Sequence, residues 1–407
     1  MNRTITVVKS FIGSNAVRYC KLIFMIFLFE GNLVSVNAQD QEINDSISLT
    51  SKGFLRPLFN YAEKTVFQYL DKTSNQEYKK PFMFSVIGGP YYTNETKVGM
   101  GLIGSGLFHL RGCQNDSLPS NVSLFLNGTT SGAYAVGIRS NIYFPEMKSW
   151  FSTSFSFNDT PLRYWGVGYD AGQSTEYTDY NMQQAQFIFS YFRKIEKDLS
   201  AGVIFEANDM RGKYFDDISY LNGEKRKITA MGLGLNIVYD SRDVITDPYK
   251  GMYINIENIY YPNFIGNTPD INSLNLTFRY YKKVRQGTII AFDFDSELNF
   301  GDIPWGLMAL SGGSNQMRGY YSGRYRDKKL VDAQVEIRQH IYKRSGVVVW
   351  AGAGNVFPDF KKIKMKETLP TIGFGYRFKV KERTNVRLDY GFGKGQSALY
   401  ININEAF

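Results

Sequence analysis

Residues 274–281, LNLTFRYY, and residues 290–300, IAFDFDSELNF, decide the fold, because apolar and polar side chains alternate along both. Successive side chains of a β-strand point to opposite faces, so a period of two indicates strands with one apolar and one polar face. Residues 331–342, VDAQVEIRQHIY, repeat the pattern, with Glu336 and Arg338 on the polar face. These segments therefore predict neighbouring strands.

The same alternation continues beyond residue 80, where no helical period is visible. About sixteen alternating segments occupy residues 81–407, and roughly 20 residues for each strand with its turn suits tilted membrane strands of about 9 to 11 residues. A soluble sandwich also alternates, but here tight turns such as 344–346 alternate with long stretches such as 301–329. We therefore predict an all-β fold, a 16-stranded antiparallel transmembrane β-barrel preceded by a short N-terminal helix.

The composition fits a membrane barrel. The 407 residues include 29 Tyr and 31 Phe, and the mean hydropathy of −0.28 argues against a bundle of membrane helices. Aromatic rings of membrane barrels collect in girdles at both interfaces. In such a barrel we expect Phe292 and Phe294 to face lipid, and Asp293 and Asp295 to pair with arginines of the lumen. The alternative for this acidic row is the binding of a divalent ion.

Several function classes are disfavoured by the residue counts. With 2 His and 2 Cys, a cluster of soft metal ligands is nearly excluded. The net charge of +9 is not gathered in a basic helix or stripe, so nucleic acid is not a predicted partner. No nucleophile, base and orienting group can be assembled, so we expect no enzyme, no cofactor and no metal.

The first 38 residues resemble an export signal. A basic region precedes the apolar run 22–29, LIFMIFLF, and small residues precede Gln39. The run is too short to span a bilayer. We interpret residues 1–38 as a cleavable signal peptide, with a buried strand or a signal anchor as alternatives.

Residues 39–80 are predicted to form a periplasmic linker. Apolar residues recur at helical spacing within residues 54–70, which predicts the short amphipathic helix. This helix is either a simple tether or cap, or a plug or partner-docking element. The barrel then occupies residues 81–407.

The end of the sequence resembles the C-terminal signal by which outer-membrane barrels are recognised for assembly. Leu399, Ile401, Ile403 and Phe407 are expected on one face of the last strand. Glu405 departs from the signal, since it occupies a position where an apolar residue is usual.

Three groups of residues carry a more specific resemblance. The loop after the eleventh predicted strand contains Gly312, Gly313, Met317, Arg318, Gly319 and Tyr320. This stretch, with its Arg-Gly-aromatic core, resembles the conserved loop of the BamA/TamA superfamily, the bacterial surface antigen barrels. The next strand carries Glu336 and Arg338 where that family carries its glutamate. An earlier strand and turn match a second family signature through Asp240, Arg242, Asp243 and Gly251.

The resemblance covers residues 81–407 and implies a member that lacks the periplasmic POTRA repeats, for which residues 39–80 leave no room. Family members commonly hold an aspartate near Gly352 that pairs with the loop arginine. Its absence here makes Glu336 the expected partner of Arg318.

The function implied by the resemblance is help in the assembly, insertion or translocation of outer-membrane or surface proteins. The expected location is the bacterial outer membrane, in contact with its lipid and with outer-membrane or periplasmic partner subunits. The alternatives are a passive or gated channel and a structural surface antigen. A weak seam between the first and last strands, with a folded-in arginine loop, would favour assembly, whereas an open lumen would favour a channel.

Overall fold

A computed structural model describes residues 82–110, 119–267 and 270–407. The predicted signal peptide and the predicted helix within residues 54–70 lie outside the described residues. No helix within those three ranges has the length and apolar character needed to cross a bilayer.

Sixteen antiparallel strands close into a barrel, which confirms the predicted strand number and topology. Two further strands, β12 and β13, pair with each other inside one loop. In chain order the strands are β1 (Phe82–Thr93), β2 (Lys97–Phe108), β3 (Ser120–Thr129), β4 (Tyr134–Tyr143), β5 (Ser149–Tyr164), β6 (Thr178–Lys194), β7 (Leu199–Lys213), β8 (Lys227–Asp240), β9 (Gly251–Tyr261), β10 (Ile271–Arg285), β11 (Thr288–Gly301), β12 (Ala309–Ser311), β13 (Tyr325–Asp327), β14 (Lys329–Tyr342), β15 (Ser345–Phe357), β16 (Leu369–Lys381), β17 (Thr384–Gly393) and β18 (Gln396–Ile403).

The register explains why the alternation was visible in the sequence. Along β14, Glu336 is fully buried inside the barrel while its neighbour Ile337 is 43% exposed on the outside. Cross-strand partners share a face, as Phe278 opposite Phe294 does. The apolar outer surface and the polar lumen therefore follow directly from the period of two.

The two ends of the barrel differ in the length of the connections between strands. We call the end at which β1 begins and β18 finishes the turn end, since tight turns such as 343–344 and 382–383 lie there. The opposite, loop end carries the long connections, among them residues 302–328. The connection between β5 and β6 contains a five-residue helix, α1 (Tyr169–Gln173), which the sequence did not predict. So short a helix leaves no periodic signal.

The last strand ends earlier than the sequence predicted. Asn404 has a φ of 67° and turns the chain after Ile403. Phe407 is only 6% exposed and packs inside the barrel with Tyr281 and Ala291, so it does not share the outer face of Leu399 and Ile401. We call residues 404–407 the inward tail. On a continued strand Glu405 would face lipid, whereas in the tail its carboxylate lies 2.6 Å from Nε of Arg377.

The seam between β1 and β18 is much shorter than the other strand pairings. Tyr92 opposite Ile401 is its single registered pair, whereas β1 is paired with β2 along its whole length. Continuing the seam register would place Glu405 opposite Gly88 and Phe407 opposite Val86. Because the tail turns inward, this part of β1 has no registered partner on the seam side among the described residues.

Candidate functional site

The connection between β11 and β14 folds back into the barrel. The β12–β13 hairpin forms its stem, and residues 312–324 form a tip that descends into the lumen, which we call the arginine loop. Gly312 and Gly319 have φ values of 100° and 110°, which L side chains rarely adopt. A Cβ atom at Gly312 would also lie 2.9 Å from the carbonyl oxygen of Tyr320, so the turn depends on glycine.

Arg318 lies at the tip of the arginine loop and is fully buried. Its Nη2 lies 2.5 Å from Oε2 of Glu336, and its Nη1 lies 2.9 Å from Oδ2 of Asp389. The guanidinium also stacks 3.7 Å from the ring centroid of Trp350. Hydrogen bonds between ionised partners are shorter and stronger than neutral ones, and a desolvated cation–π contact adds to them. Arg318 therefore joins β14, β15 and β17 at one point.

The backbone around Arg318 is held as firmly as its side chain. The hydroxyl of Thr371 donates a 2.5 Å hydrogen bond to the carbonyl oxygen of Arg318, and the amide of Gly319 donates to Oη of Tyr400 at 3.2 Å. Gly391 faces the loop so closely that a Cβ atom there would lie 2.6 Å from the carbonyl oxygen of Arg318. The loop and β17 thus meet backbone to backbone.

The neighbours of Arg318 also hold the arginine loop against the barrel wall. Tyr320 is fully buried, its hydroxyl donates to the carbonyl oxygen of Pro370 at 2.7 Å, and it accepts from the amide of Lys394 at 2.8 Å. Met317 has a φ of 46° and is 1% exposed, against Gly354. Gly313 donates its amide to the carbonyl oxygen of Tyr320 at 3.2 Å, so every residue of the loop motif takes part in the fold or the packing of the loop.

Two chains of ion pairs run from Arg318 toward the turn end. In the first, Oε1 of Glu336 lies 2.7 Å from Nε of Arg338, whose Nη2 donates to the backbone oxygen of Phe407 at 2.8 Å. In the second, Oδ1 of Asp389 lies 2.5 Å from Nη1 of Arg377, which also binds Glu405. Both chains end on the inward tail. We call the connected side chains the lumen ion network: Arg318, Glu336, Arg338, Arg377, Arg387, Asp389 and Glu405.

Sequence reasoning named Glu336 and Arg338 but missed the second partner of Arg318. Asp389 is inward-facing on an alternating strand, so its place in the lumen was visible, but nothing in the sequence says that β17 lies within reach of the loop. Glu405 was noted only as a departure from an apolar pattern. The contacts of Glu405 with Arg338 and Arg377 make it a member of the lumen ion network.

The strand-turn signature lies away from Arg318 and builds the turn between β8 and β9. Arg242 binds both carboxylate oxygens of Asp240, at 2.9 and 2.7 Å. Gly251 has a φ of 104°, and a Cβ atom there would lie 2.3 Å from the carbonyl oxygen of Ser241. The turn crosses the turn end of the barrel, since Oδ2 of Asp243 accepts at 2.9 Å from Arg383, between β16 and β17.

The environment of Asp243 favours its charged form. Burial by itself raises the pKa of a carboxyl, but the amide of Tyr249, at 2.9 Å, and the guanidinium of Arg383 outweigh it. The pKa of Asp243 is therefore held below its ordinary value.

The acidic row on β11 is partly neutralised by an arginine. Nε of Arg279 lies 2.8 Å from Asp293 and its Nη2 lies 3.8 Å from Asp295. Gln316 of the arginine loop donates to Asp295 at 2.5 Å. In the described part of the chain, no group of three or more His, Cys, Asp and Glu residues is arranged to hold a metal ion.

Comparison with solved structures shows the same fold in outer-membrane barrels. BamA from Haemophilus ducreyi lacking POTRA domains 1–3 superposes with a TM-score of 0.57 at 12% identity, over 79% of this chain and 70% of that one. CdiB from Escherichia coli gives 0.55 at 11%, over 80% and 63%, and CdiB from Acinetobacter baumannii gives 0.52 at 12%, over 80% and 59%. The chain thus spans about three-fifths of the two CdiB chains.

None of the curated proteins compared matches the sequence. The model of the Omp85 superfamily domain matches residues 120–398, which include the arginine loop, Glu336 and the strand-turn signature. The described residues contain the barrel and no POTRA repeat. The chain belongs to the Omp85 superfamily and is a β-barrel protein of the bacterial outer membrane.

Proposed function

We propose that this barrel assists the insertion or translocation of outer-membrane or surface proteins, together with partner subunits. The observation that carries the proposal is the short seam, in which β1 and β18 share one registered pair, Tyr92 opposite Ile401. Membership of the Omp85 superfamily supports the same role.

A short seam matters because a membrane cannot solvate free strand edges. Opening the barrel between any two other neighbouring strands would break a long row of backbone hydrogen bonds, such as that between β5 and β6. Opening between β1 and β18 breaks very few. The seam is therefore the place where a client strand could pair with the wall, or pass into the lipid, at the lowest cost.

The arginine loop supports the proposal in a second way. Arg318 and Tyr320 contact β14, β15, β16 and β17, which follow β18 in the wall on one side of the seam. The lumen ion network also binds the inward tail. The network thus holds this side of the wall rigid and keeps residues 404–407 out of the seam.

Locking the seam tests the proposal. The cysteine pair Tyr92→Cys and Ile401→Cys, in a Cys113→Ser background, joins residues that face each other across the seam at a distance compatible with a disulfide. The readout is the rate at which an unfolded outer-membrane β-barrel protein becomes protease-resistant in proteoliposomes that contain the variant. The oxidised barrel should lose its stimulation of that rate, and reductant should restore it.

The matched control is Leu124→Cys with Ile138→Cys, which joins β3 and β4 where the wall is continuous. Its oxidation should leave the rate unchanged. A seam-locked barrel that stimulates insertion as well as the reduced protein would refute the proposal.

The alternative function, a passive channel, predicts a different experimental result. A barrel that conducts passively should show a steady, large conductance in planar bilayers, and seam locking should leave that conductance unchanged. The fully buried Arg318 and its partners speak against a wide passage along β14 to β17.

A further inference from the structure

A cavity of about 450 Å³ opens at the turn end of the lumen. Its floor is formed by Arg338 and Arg377 of the lumen ion network, and its rim includes Lys283 and Lys379. Lys283 is opposite Ile289 and Lys379 opposite Asn385 in the strand register, and both partners also line the cavity. We call this cavity the basic vestibule.

The charges of the basic vestibule are unbalanced. Five arginine and lysine side chains line it, against two carboxylates, those of Asp247 and Glu405. Since Arg338 is also paired with Glu336 and Arg377 with Asp389, the excess positive charge lies at the rim, with Lys283 and Lys379. Glu405 is already bound by Arg377, and Asp247 lies 3.9 Å from Arg338. Clefts lined by one sign of charge concentrate ligands of the opposite sign.

Two buried guanidinium groups on the floor have unused donors. Nη1 of Arg338 and Nη2 of Arg377 have no hydrogen-bond acceptor among the described residues, and each of the two residues is only 5% exposed. Nη2 of Arg377 lies 4.0 Å from Oε2 of Glu336, which is beyond hydrogen-bond distance. Buried donors on a charged group are costly to leave unpaired. Because both nitrogens are closed off from solvent, an acceptor in the vestibule pairs with them once neighbouring side chains shift.

The inward tail shows what kind of ligand the vestibule accommodates. It is a short peptide segment whose carboxylate, on Glu405, accepts from Nε of Arg377 at 2.6 Å and from the side-chain amide of Asn385 at 2.8 Å. A backbone oxygen of the same segment, on Phe407, binds Arg338. The wall therefore already recognises a peptide through one carboxylate and one main-chain oxygen.

We propose that the basic vestibule binds an acidic, extended peptide segment of a partner or client protein at the turn end of the barrel. The inference rests on the proposed function, in that it names the chemistry by which this barrel engages such a protein. Carboxylates of the segment pair with Lys283 and Lys379 at the rim and with the unused donors of Arg338 and Arg377 below. Binding beside the tail couples the segment to the seam, since the tail directly follows β18, one of the two seam strands.

Binding is measured by fluorescence anisotropy of a fluorescein-labelled poly-glutamate peptide, with the full-length protein in detergent. The probe should bind, and its affinity should fall as salt rises, whereas a poly-glutamine peptide should not bind. The variant Lys283→Gln/Lys379→Gln should bind about tenfold more weakly, because it removes two exposed ion pairs with the probe. The matched control Lys361→Gln/Lys362→Gln removes the same charge from the loop end and should bind as the wild type does.

Several results would overturn the inference: no binding of the acidic probe, equal binding of poly-glutamine, or equal affinity in both double variants. Stronger displacement of the probe by phosphatidylglycerol vesicles than by unlabelled poly-glutamate would make lipid phosphate the ligand instead. If Lys283→Gln/Lys379→Gln does not fold, binding by the wild type that is insensitive to salt overturns the inference by itself.

The seam-locking experiment separates this inference from the proposed function. A locked barrel that still stimulates insertion, combined with weaker peptide binding in Lys283→Gln/Lys379→Gln, refutes the function and leaves the peptide site standing. A locked barrel that no longer stimulates insertion, combined with unchanged peptide binding in Lys283→Gln/Lys379→Gln, refutes the peptide site alone.

Discussion

Replacing Arg318 with alanine should undock the arginine loop without unfolding the barrel. The change removes two charge-assisted hydrogen bonds, to Glu336 and Asp389, each worth about 1.5–3 kcal/mol net, and a desolvated cation–π contact worth about 2 kcal/mol. Glu336 keeps Arg338 and Asp389 keeps Arg377, so neither carboxylate is left unpaired. Because such contributions are not additive, we expect the docked loop to lose about 3–5 kcal/mol.

Hydrogen–deuterium exchange measured by mass spectrometry reads this loss directly. The amide of Gly319 is bonded to Tyr400 in the docked loop, and the amides of Gly313 and Tyr320 are bonded within it. A loss of 3–5 kcal/mol raises the undocked population by roughly two to four orders of magnitude, and exchange in peptides covering residues 312–324 should quicken accordingly. Arg318→Lys should give a smaller increase, because one ammonium group cannot bridge both carboxylates in the guanidinium's geometry.

Arg211→Ala is the control, since Arg211 is an exposed arginine of β7 and its loss should change exchange in the loop very little. Exchange in Arg318→Ala that stays within about threefold of the wild type would mean that the ion pairs do not hold the loop, and would refute the reasoning.

Three further predictions concern the wall and the turns. Phe294→Arg places a charge toward lipid at a cost of about 2–4 kcal/mol, so it should lower the fraction with heat-modifiable gel mobility far more than Asp295→Asn does; equal fractions would contradict the register. Gly391→Ala should undock the loop, because the new methyl carbon would lie 2.6 Å from a loop carbonyl oxygen, whereas Gly128→Ala, with open space around it, should not; exchange in residues 312–324 distinguishes them. The lowered pKa of Asp243 means that its carboxylate stabilises the folded turn fully above the ordinary pKa of about 3.9, and that this contribution is lost as pH falls through the lower folded value. Protease susceptibility of residues 241–250 should therefore rise in that acidic window, and an Asp243→Asn variant should show no such rise.

The period of two by itself determined the class of fold, the number of strands and which side chains face the lumen. This succeeded because a strand's alternation is local: each residue's face is fixed by its immediate neighbours, and the membrane and the lumen demand opposite polarity. The glycines of the arginine loop were visible for a similar reason, since backbone turns with positive φ leave a local mark in the sequence.

Only the tertiary structure decided how distant segments meet. The sequence offered Glu336 as the partner of Arg318, but the second partner, Asp389, is 71 positions away. It became available only because the barrel wall places β17 three strands from β14, within reach of a loop that folds into the lumen. The inward tail is a similar case. Alternation predicted that the last strand continues to Phe407, yet a lipid-facing Glu405 costs free energy that pairing with Arg377 avoids. That choice depends on a guanidinium that β16 supplies, and local pattern cannot report contacts that form only when the barrel closes.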